Sequence, residues 1–299
     1  MATNYFKRRR FQENRDGILF LLPAMIAFVI FMAIPLLMAF GLVFMDYNLL
    51  GSSQFIGFRN FTHFSIDPLF RRALGNTVRF LLFLIPIHCI LSLVLAYAVS
   101  QVRNRRLRFL YRGIIFFPTF VPTASVAIVW VFMFATDTGF INFFIRQLGG
   151  SNVPWMTNSV MIYVTIALFS TWKFIGTSFL FYFIGLQNIP ASCHDAAMVD
   201  GANKLQIFFC ITLPLLTPTI FFVFVTNIIF IFQIFEESFF IAGSNTHAIS
   251  MSLLIYQNAF VSMRFGYASL LAVFMFLIMM IITVIMFYCH KRWVNYDYE

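Results

Sequence analysis

Three charged side chains stand inside apolar stretches of the sequence: Lys173, Glu236 and Glu237. A charge within a membrane span is costly unless it faces the bundle interior or water, so each is a candidate for contact with a polar solute. Gln233 shares a helical face with Glu236, and Trp172 adjoins Lys173. An amide, a carboxylate and an aromatic ring would suit a solute rich in hydroxyl groups, which both donate and accept hydrogen bonds. The alternative is that both acids lie near a helix end and are hydrated there.

Two expectations follow from helical spacing around these charges. Ser170, Lys173 and Thr177 form a polar stripe that should face the bundle interior or a water-filled cavity. An ion pair between Lys173 and Glu237 is disfavoured, because regular helices rising about 1.5 Å per residue place them roughly 21 Å and about 36 Å from the inner ends of their spans.

The connection over residues 188–212 carries a second set of informative residues. Ser192, followed three residues later by Asp195, predicts a capping box, and the pair Asp200-Gly201 predicts a left-handed helix end. A helix of two or three turns is therefore expected. Its centre, Ala196-Ala197, leaves the backbone thin enough to fit a groove on another protein. The alternative is an interfacial helix that only reverses the chain direction.

The elements that must position these residues are long apolar segments. The 299 residues are 61% hydrophobic and 10% charged, with a mean hydropathy of +0.87, which is too apolar for a water-soluble globule. Segments long enough to cross a bilayer are predicted at 17–44, 77–100, 113–134, 159–187, 213–242 and 267–289. We therefore predict an all-α membrane protein with one transmembrane domain, residues 1–299, and six spans.

The distribution of basic residues predicts the orientation of these spans. Basic residues cluster at Lys7–Arg10, before the first span, and at Arg103–Arg112, between the second and third. Lys204 and the C-terminal Lys291 fall on the same side, which is therefore cytoplasmic, with both termini. The net charge of +9 reflects this orientation and does not indicate binding of nucleic acid.

Several kinds of site are disfavoured by the sequence. The adjacent pairs Cys193-His194 and Cys289-His290 have the wrong spacing for a metal site, since neighbouring side chains diverge on a helix. No GxxxxGK[ST] loop for ATP is present, and no HExxH, HxxxH or Ser-Lys arrangement indicates a catalytic residue. An integral membrane enzyme and a structural scaffold nevertheless remain alternatives. A scaffold predicts that changes at Asp195 or Gly201 affect stability alone.

The pattern Asp195-Ala196-Ala197-x-x-Asp200-Gly201-Ala202, followed by Phe208 and Leu213-Pro214, resembles the EAA loop of permease subunits of ATP-binding cassette (ABC) importers. The likeness extends over nearly the whole length to the sugar-permease branch, which includes maltose, multiple-sugar, raffinose and glycerol-phosphate systems. The further matching segments are Gly57-Phe58-Arg59-Asn60-Phe61, Asp67-Pro68, Asn76-Thr77 and Gly185-Leu186-Gln187-x-Ile189-Pro190.

The resemblance implies a type I ABC importer permease fold in a bacterial cytoplasmic (inner) membrane. The chain would form half of the path for a sugar or oligosaccharide, beside a second permease, two ATPases and an extracytoplasmic solute-binding protein. ATP and Mg would bind the ATPases, which residues 195–202 would contact, and this chain itself would not be an enzyme. A glycerol phosphate or another small polar solute is the alternative substrate, although that anion would prefer several basic side chains and only Lys173 lies deep in a span.

Two departures from the family pattern bear on these expectations. Asp195 stands where the family usually has Glu. Because the Asp side chain is one methylene shorter, a partner would have to approach more closely to form a salt bridge with it. The turn after the fifth span, residues 242–246, is degenerate, and this concerns the outer face more than the coupling to ATP.

Overall fold

The computed structural model describes residues 15, 17–47, 53–243 and 245–290, and this part of the chain is mostly helical. The predictions made on Lys7–Arg10, Ser244 and Lys291 lie outside the described residues. The helices are α1 (Gly17–Leu42), α2 (Arg59–Ile66), α3 (Pro68–Ser100), α4 (Arg105–Phe120), α5 (Thr123–Met133), α6 (Phe140–Gln147), α7 (Met161–Asn188), α8 (Ala191–Val199), α9 (Lys204–Leu215), α10 (Thr217–Phe232), α11 (Met251–Val261) and α12 (Phe265–Cys289).

Four of these helices, α1, α3, α7 and α12, are long and apolar enough to cross a membrane by themselves. They correspond to the spans predicted at 17–44, 77–100, 159–187 and 267–289, although α3 begins nine residues before the predicted start. Asp67 sets this earlier start, because its carboxylate accepts a hydrogen bond of 2.8 Å from the Leu69 backbone N–H at the helix N-terminus. Counting each of two bent helix pairs as one span gives up to six spans in the described residues.

The third predicted span, 113–134, is not one continuous helix. It consists of α4 and α5, which meet at an angle of 94°. Pro118 and Pro122 flank the bend, and Val121 between them is extended. Because proline removes a backbone donor and clashes with the preceding turn, two prolines one turn apart end a helix that either alone could kink.

The fifth predicted span, 213–242, is also corrected. It begins earlier, with α9, and α9 meets α10 at an angle of 66° beside Pro214 and Pro218. The helix then ends at Phe232 and not at residue 242, and a turn over residues 233–235 leads to a π-helical turn, Ser238–Ala242. The acids of this span therefore do not lie on a regular helix.

The helices and the strand pair are divided between two compact units. The first comprises residues 1–66 and 257–274. In its described part, α1 leads to an antiparallel strand pair, β1 (Met45–Asp46) and β2 (Gln54–Phe55). The Asn60 amide donates to the Val43 carbonyl at 2.7 Å and to the Met45 carbonyl at 3.1 Å, which fixes α2 against this strand pair.

The second unit comprises residues 67–256 and 275–299, with α3 packed along α7 and α10 beside both. Phe80 and Leu84 of α3 and Ile166 and Phe169 of α7 belong to one fully buried apolar cluster. A polar chain crosses the same three helices. His88 Nδ1 lies 3.2 Å from Asn227 Oδ1, and Asn227 Nδ2 donates to Ser178 Oγ at 2.9 Å. Buried hydrogen bonds of this kind fix one register between helices.

Candidate functional site

The short helix α8 confirms the helix predicted in the connection 188–212, but its start differs from the prediction. Pro190 precedes the first turn, and no side chain caps the helix, so the predicted Ser192–Asp195 capping box is wrong. The helix begins one residue before Ser192, which places this serine inside the first turn. The capping box found here begins α9 instead: Gln206 N–H donates to Asn203 Oδ1 at 2.9 Å, and Asn203 N–H donates to Gln206 Oε1 at 2.8 Å.

The end of α8 has the predicted left-handed residue. Gly201 has a φ of +80°, which L-residues rarely adopt. The N–H of Ala202 donates to the Ala197 carbonyl at 3.0 Å, and that of Gly201 donates to the Met198 carbonyl at 3.2 Å. This pair of bonds is a Schellman motif, and it aims the chain from α8 into α9.

The helix α8 presents most of its surface outward. Ala197 is buried, whereas Asp195, Ala196 and Asp200 are exposed. The two most exposed apolar side chains of this connection are Val199, which is 88% exposed, and Leu205, at the start of α9, which is 71% exposed. Neither was predicted from the sequence, although apolar residues inside a polar connection were a signal that could have identified them.

One contact holds this connection together, and a second fixes it to the rest of the second unit. His194 Nε2 of α8 lies 3.1 Å from Thr212 Oγ1 of α9. The ring of Phe208 in α9 packs edge-on against Tyr97, near the end of α3, with 4.6 Å between ring centroids. A force applied to α8 would therefore be transmitted to α9 and α3 through packed side chains.

Lys173 is buried at the bend of the third span. Its side chain is 1% exposed, and Nζ donates to the carbonyls of Pro118 at 2.6 Å, Thr119 at 3.2 Å and Val121. Thr119 Oγ1 in turn donates to the Lys173 carbonyl at 3.3 Å. The ammonium thus supplies three donors to carbonyls at the C-terminal end of α4, where the helix dipole favours a cation.

The polar stripe predicted on α7 is divided. Ser170 and Lys173 are buried, whereas Thr177 is exposed. Glu237 is buried and lies beside Ser170, one turn from Lys173. The regular helix assumed for the depth estimate is interrupted, because α10 ends at Phe232 and a turn follows over residues 233–235. The partners of Lys173 Nζ are backbone carbonyls, in keeping with the prediction that an ion pair with Glu237 is disfavoured.

Two cavities lie along the seam between α7 and α10. The larger, about 330 Å³, is lined by Gln233, Glu236 and Glu237 together with the rings of Phe174 and Phe230. The smaller, about 100 Å³, has the same two rings and the polar side chains of Thr177, Ser178, Thr226 and Asn227. The two rings meet edge-on, with 4.7 Å between centroids. Phe174 and Phe230 were not predicted from the sequence, because a phenylalanine in so Phe-rich a chain gives no distinguishing signal.

The structure brings together Gln233, Glu236 and Glu237, but it does not place Trp172 with them. Trp172 is partly exposed and packs against Trp130 of α5, with 5.9 Å between ring centroids. Neighbouring residues of a helix point about 100° apart, so Trp172 diverges from the buried Lys173. The role predicted for these five residues in contacting a solute stays a prediction.

Comparison with known proteins finds the same kind of protein at the level of the family and of individual relatives. The family profile of binding-protein-dependent transport system inner membrane components matches residues 88–295. The chain is 34% identical to the probable ABC transporter permease protein YesP of Bacillus subtilis (strain 168), over 96% of this chain and 94% of that protein. It is 32% identical to the lactose transport system permease protein LacF of Rhizobium radiobacter, over 98% of this chain and 99% of that one.

A solved structure extends the likeness to three dimensions. It is a bacterial alginate ABC transporter in complex with an alginate pentasaccharide-bound periplasmic protein. The matched chain is 26% identical to this one, with a TM-score of 0.80, and the match covers 93% of this chain and 96% of that chain.

Proposed function

The chain belongs to the family of binding-protein-dependent transport system inner membrane components, and from this premise we propose that it forms half of the translocation path of a sugar or oligosaccharide importer. Its relatives are permease subunits, so its own role is transport. ATP and Mg would bind a separate subunit. The lactose permease and the alginate transporter support a saccharide as the substrate class.

The observation that carries this proposal is the geometry of α8. Asp195, Ala196 and Asp200 are exposed on a helix whose end is fixed by Gly201, and the apolar side chain of Val199 is exposed beside them. We expect this surface, residues 195–202, to bind in a groove of an ATPase. ATP-driven closure of the ATPases would then pull on α8 and move the spans between outward-open and inward-open states.

The solute would pass along the α7–α10 seam. Gln233 and Glu236 offer hydrogen-bonding groups in one cavity, and Phe174 and Phe230 offer aromatic faces for sugar rings. Lys173 would act on this path by holding the bend between α4 and α5, since its three donors are already bound to carbonyls.

The partners expected for such a half-channel are a second, similar permease, two ATP-binding cassette subunits and an extracytoplasmic solute-binding protein. The alginate transporter supports the last of these, because it was solved with a substrate-bound periplasmic protein. The bacterial inner membrane, with both termini cytoplasmic, is the location that the family description and the basic clusters support.

The replacement Gly201→Val tests the coupling role. A β-branched residue at a φ of +80° costs about 1–2 kcal/mol of local strain and would tilt α8 relative to α9. We expect normal membrane insertion and complex assembly, with a loss of solute-stimulated ATP hydrolysis of about tenfold, within the usual range of coupling free energies. ATP hydrolysis by the assembled importer, with and without the loaded binding protein, is the measurement.

The matched control is Gly149→Val. Gly149 has a φ of +83°, and its surroundings, like those of Gly201, are open, but it lies in the connection after α6. The same strain there should leave stimulation of ATP hydrolysis unchanged. Equal loss in both variants, or normal stimulation in Gly201→Val, would remove the coupling role from α8.

A further inference from the structure

A groove of about 740 Å³ runs along the surface of the second unit between α3 and α7. Its lining on α3 repeats every three or four residues, so that one face of the helix forms the wall. Polar residues come first, at Arg72, Asn76 and Arg79. Apolar residues follow on the same face, at Phe83, Ile87 and Leu91, and all three are exposed.

The facing wall has the same division. Tyr163 of α7 stands opposite the arginines, and Val164 and Leu168 continue the apolar part. From Phe83 to Leu91 the helix advances about 12 Å at ~1.5 Å per residue. One leaflet of a bilayer has a hydrocarbon thickness of about 15 Å, so the apolar part of the groove covers most of the depth of one leaflet, as an acyl chain does.

The polar end of the groove is basic. Arg72 donates to Thr246 Oγ1 at 2.9 Å, and Arg79 donates to Asn76 Oδ1 at 3.1 Å and to the Tyr163 hydroxyl at 3.3 Å. Within the part of the chain that the structure describes, the partners of both guanidinium groups are neutral oxygen atoms. Each guanidinium keeps its positive charge and further N–H donors, which suit a phosphate oxygen.

We infer that this groove binds one anionic phospholipid, with its phosphate between Arg72 and Arg79 and an acyl chain along Phe83, Ile87 and Leu91. The charge at one end and the wall beyond it, apolar except for Thr171 of α7, match the two chemical parts of such a lipid. A helix of a neighbouring protein would match the apolar wall but would not account for two unneutralised arginines at its boundary. Nothing in the proposed transport role requires this site.

The importer, purified with its partner subunits in mild detergent, provides the test. Native mass spectrometry would count bound phosphatidylglycerol, with phosphatidylcholine of the same acyl chains as the neutral comparison. We expect preferential retention of phosphatidylglycerol. The double variant Arg72→Gln/Arg79→Gln should weaken its binding by about 25-fold, which corresponds to about fivefold for each basic residue beside an anionic lipid. Inorganic phosphate at the same concentration should not displace the lipid.

The matched control for the charge is Arg71→Gln, because Arg71 is the adjacent basic residue and does not line the groove. It should leave phosphatidylglycerol binding unchanged. The inference would be overturned if the double variant bound phosphatidylglycerol as well as the unaltered protein does, or if Arg71→Gln lost as much binding as the double variant.

A second variant tests the apolar part. Ala167→Trp places a bulky ring within the groove, since Ala167 is part of its wall on α7. We expect loss of the bound phosphatidylglycerol from an otherwise complete importer. If this variant instead prevented association with the second permease, the groove would hold a protein helix, and the lipid assignment would be wrong.

Discussion

At the scale of single residues, Lys173 shows how a buried charge can be stabilised without a hydrogen-bonded acid. All three of its donors bind carbonyls at the bend between α4 and α5, and Thr119 returns a hydrogen bond to its backbone. The Pro118 carbonyl also accepts a hydrogen bond from the Val121 N–H at 3.3 Å, and Pro122, which has no N–H, interrupts the backbone donors beyond it. Lys173 is therefore a positioning residue for the bend.

We predict that Lys173→Met destabilises the protein by about 3 kcal/mol, because methionine removes the donor that binds the Thr119 and Val121 carbonyls, and each unsatisfied group costs about 1–3 kcal/mol. The measurement is the midpoint of thermal unfolding in detergent. Thr119→Val removes one neutral hydrogen bond from the same bend and should cost only about 1 kcal/mol. Unchanged stability in Lys173→Met, together with altered solute affinity, would instead make Lys173 a direct solute contact.

At the scale of elements, the length of the apolar runs predicted where spans lie but not where they bend. Pro86 stands alone inside α3, and that helix continues through it. Pro118 with Pro122 and Pro214 with Pro218 are pairs four residues apart, and both coincide with a bend. Hydropathy is insensitive to this difference, since an apolar run stays apolar whether its helix is straight or broken.

Sequence signals are local, and this determined what could be predicted of the α8 surface and of the cavities between α7 and α10. The presence of α8 and its left-handed end at Gly201 followed from local signals, whereas its first turn did not, because the predicted cap at Ser192 is not formed. The meeting of Ser170 with Glu237 did not, since it requires the end of α10 at Phe232, which no local motif marks. Long-range placement needs tertiary packing, and spacing along an ideal helix cannot supply it.

The unwound segment after α10 leads to a prediction for transport. Glu236 is exposed in the cavity that Gln233 also lines. We expect Glu236→Gln to raise the KM of solute uptake by about tenfold, the effect of losing a charge-assisted hydrogen bond of ~1.5 kcal/mol. Uptake of labelled sugar into proteoliposomes is the measurement. Asp137→Asn, at an exposed carboxylate in the connection after α5, is the control and should have no effect. Unaltered uptake in both variants would indicate that Glu236 is only hydrated near a helix end and does not contact the solute.

At the scale of the whole molecule, exposed apolar surface falls in two different environments. The most apolar stretch of α1 has no buried residue, which lipid tails tolerate. Val199 and Leu205 belong instead to the connection 188–212, which the charge pattern predicts to lie on the cytoplasmic side, where water is the solvent. Exposing apolar surface to water costs about 25 cal/mol per Å², so these side chains favour a protein partner.

We therefore predict that affinity purification of this chain from mild detergent recovers a second six-span permease and an ATPase. Val199→Asp should release the ATPase and retain the second permease, because a buried unpaired carboxylate at that surface opposes docking. Leu148→Asp is the matched control, since Leu148 is also 88% exposed but lies in the connection after α6. Mass spectrometry of the recovered subunits decides the result. Recovery of the chain alone, stable and monodisperse, would contradict the importer assembly, and ATPase loss in both variants would show that the α8 surface is not its docking site.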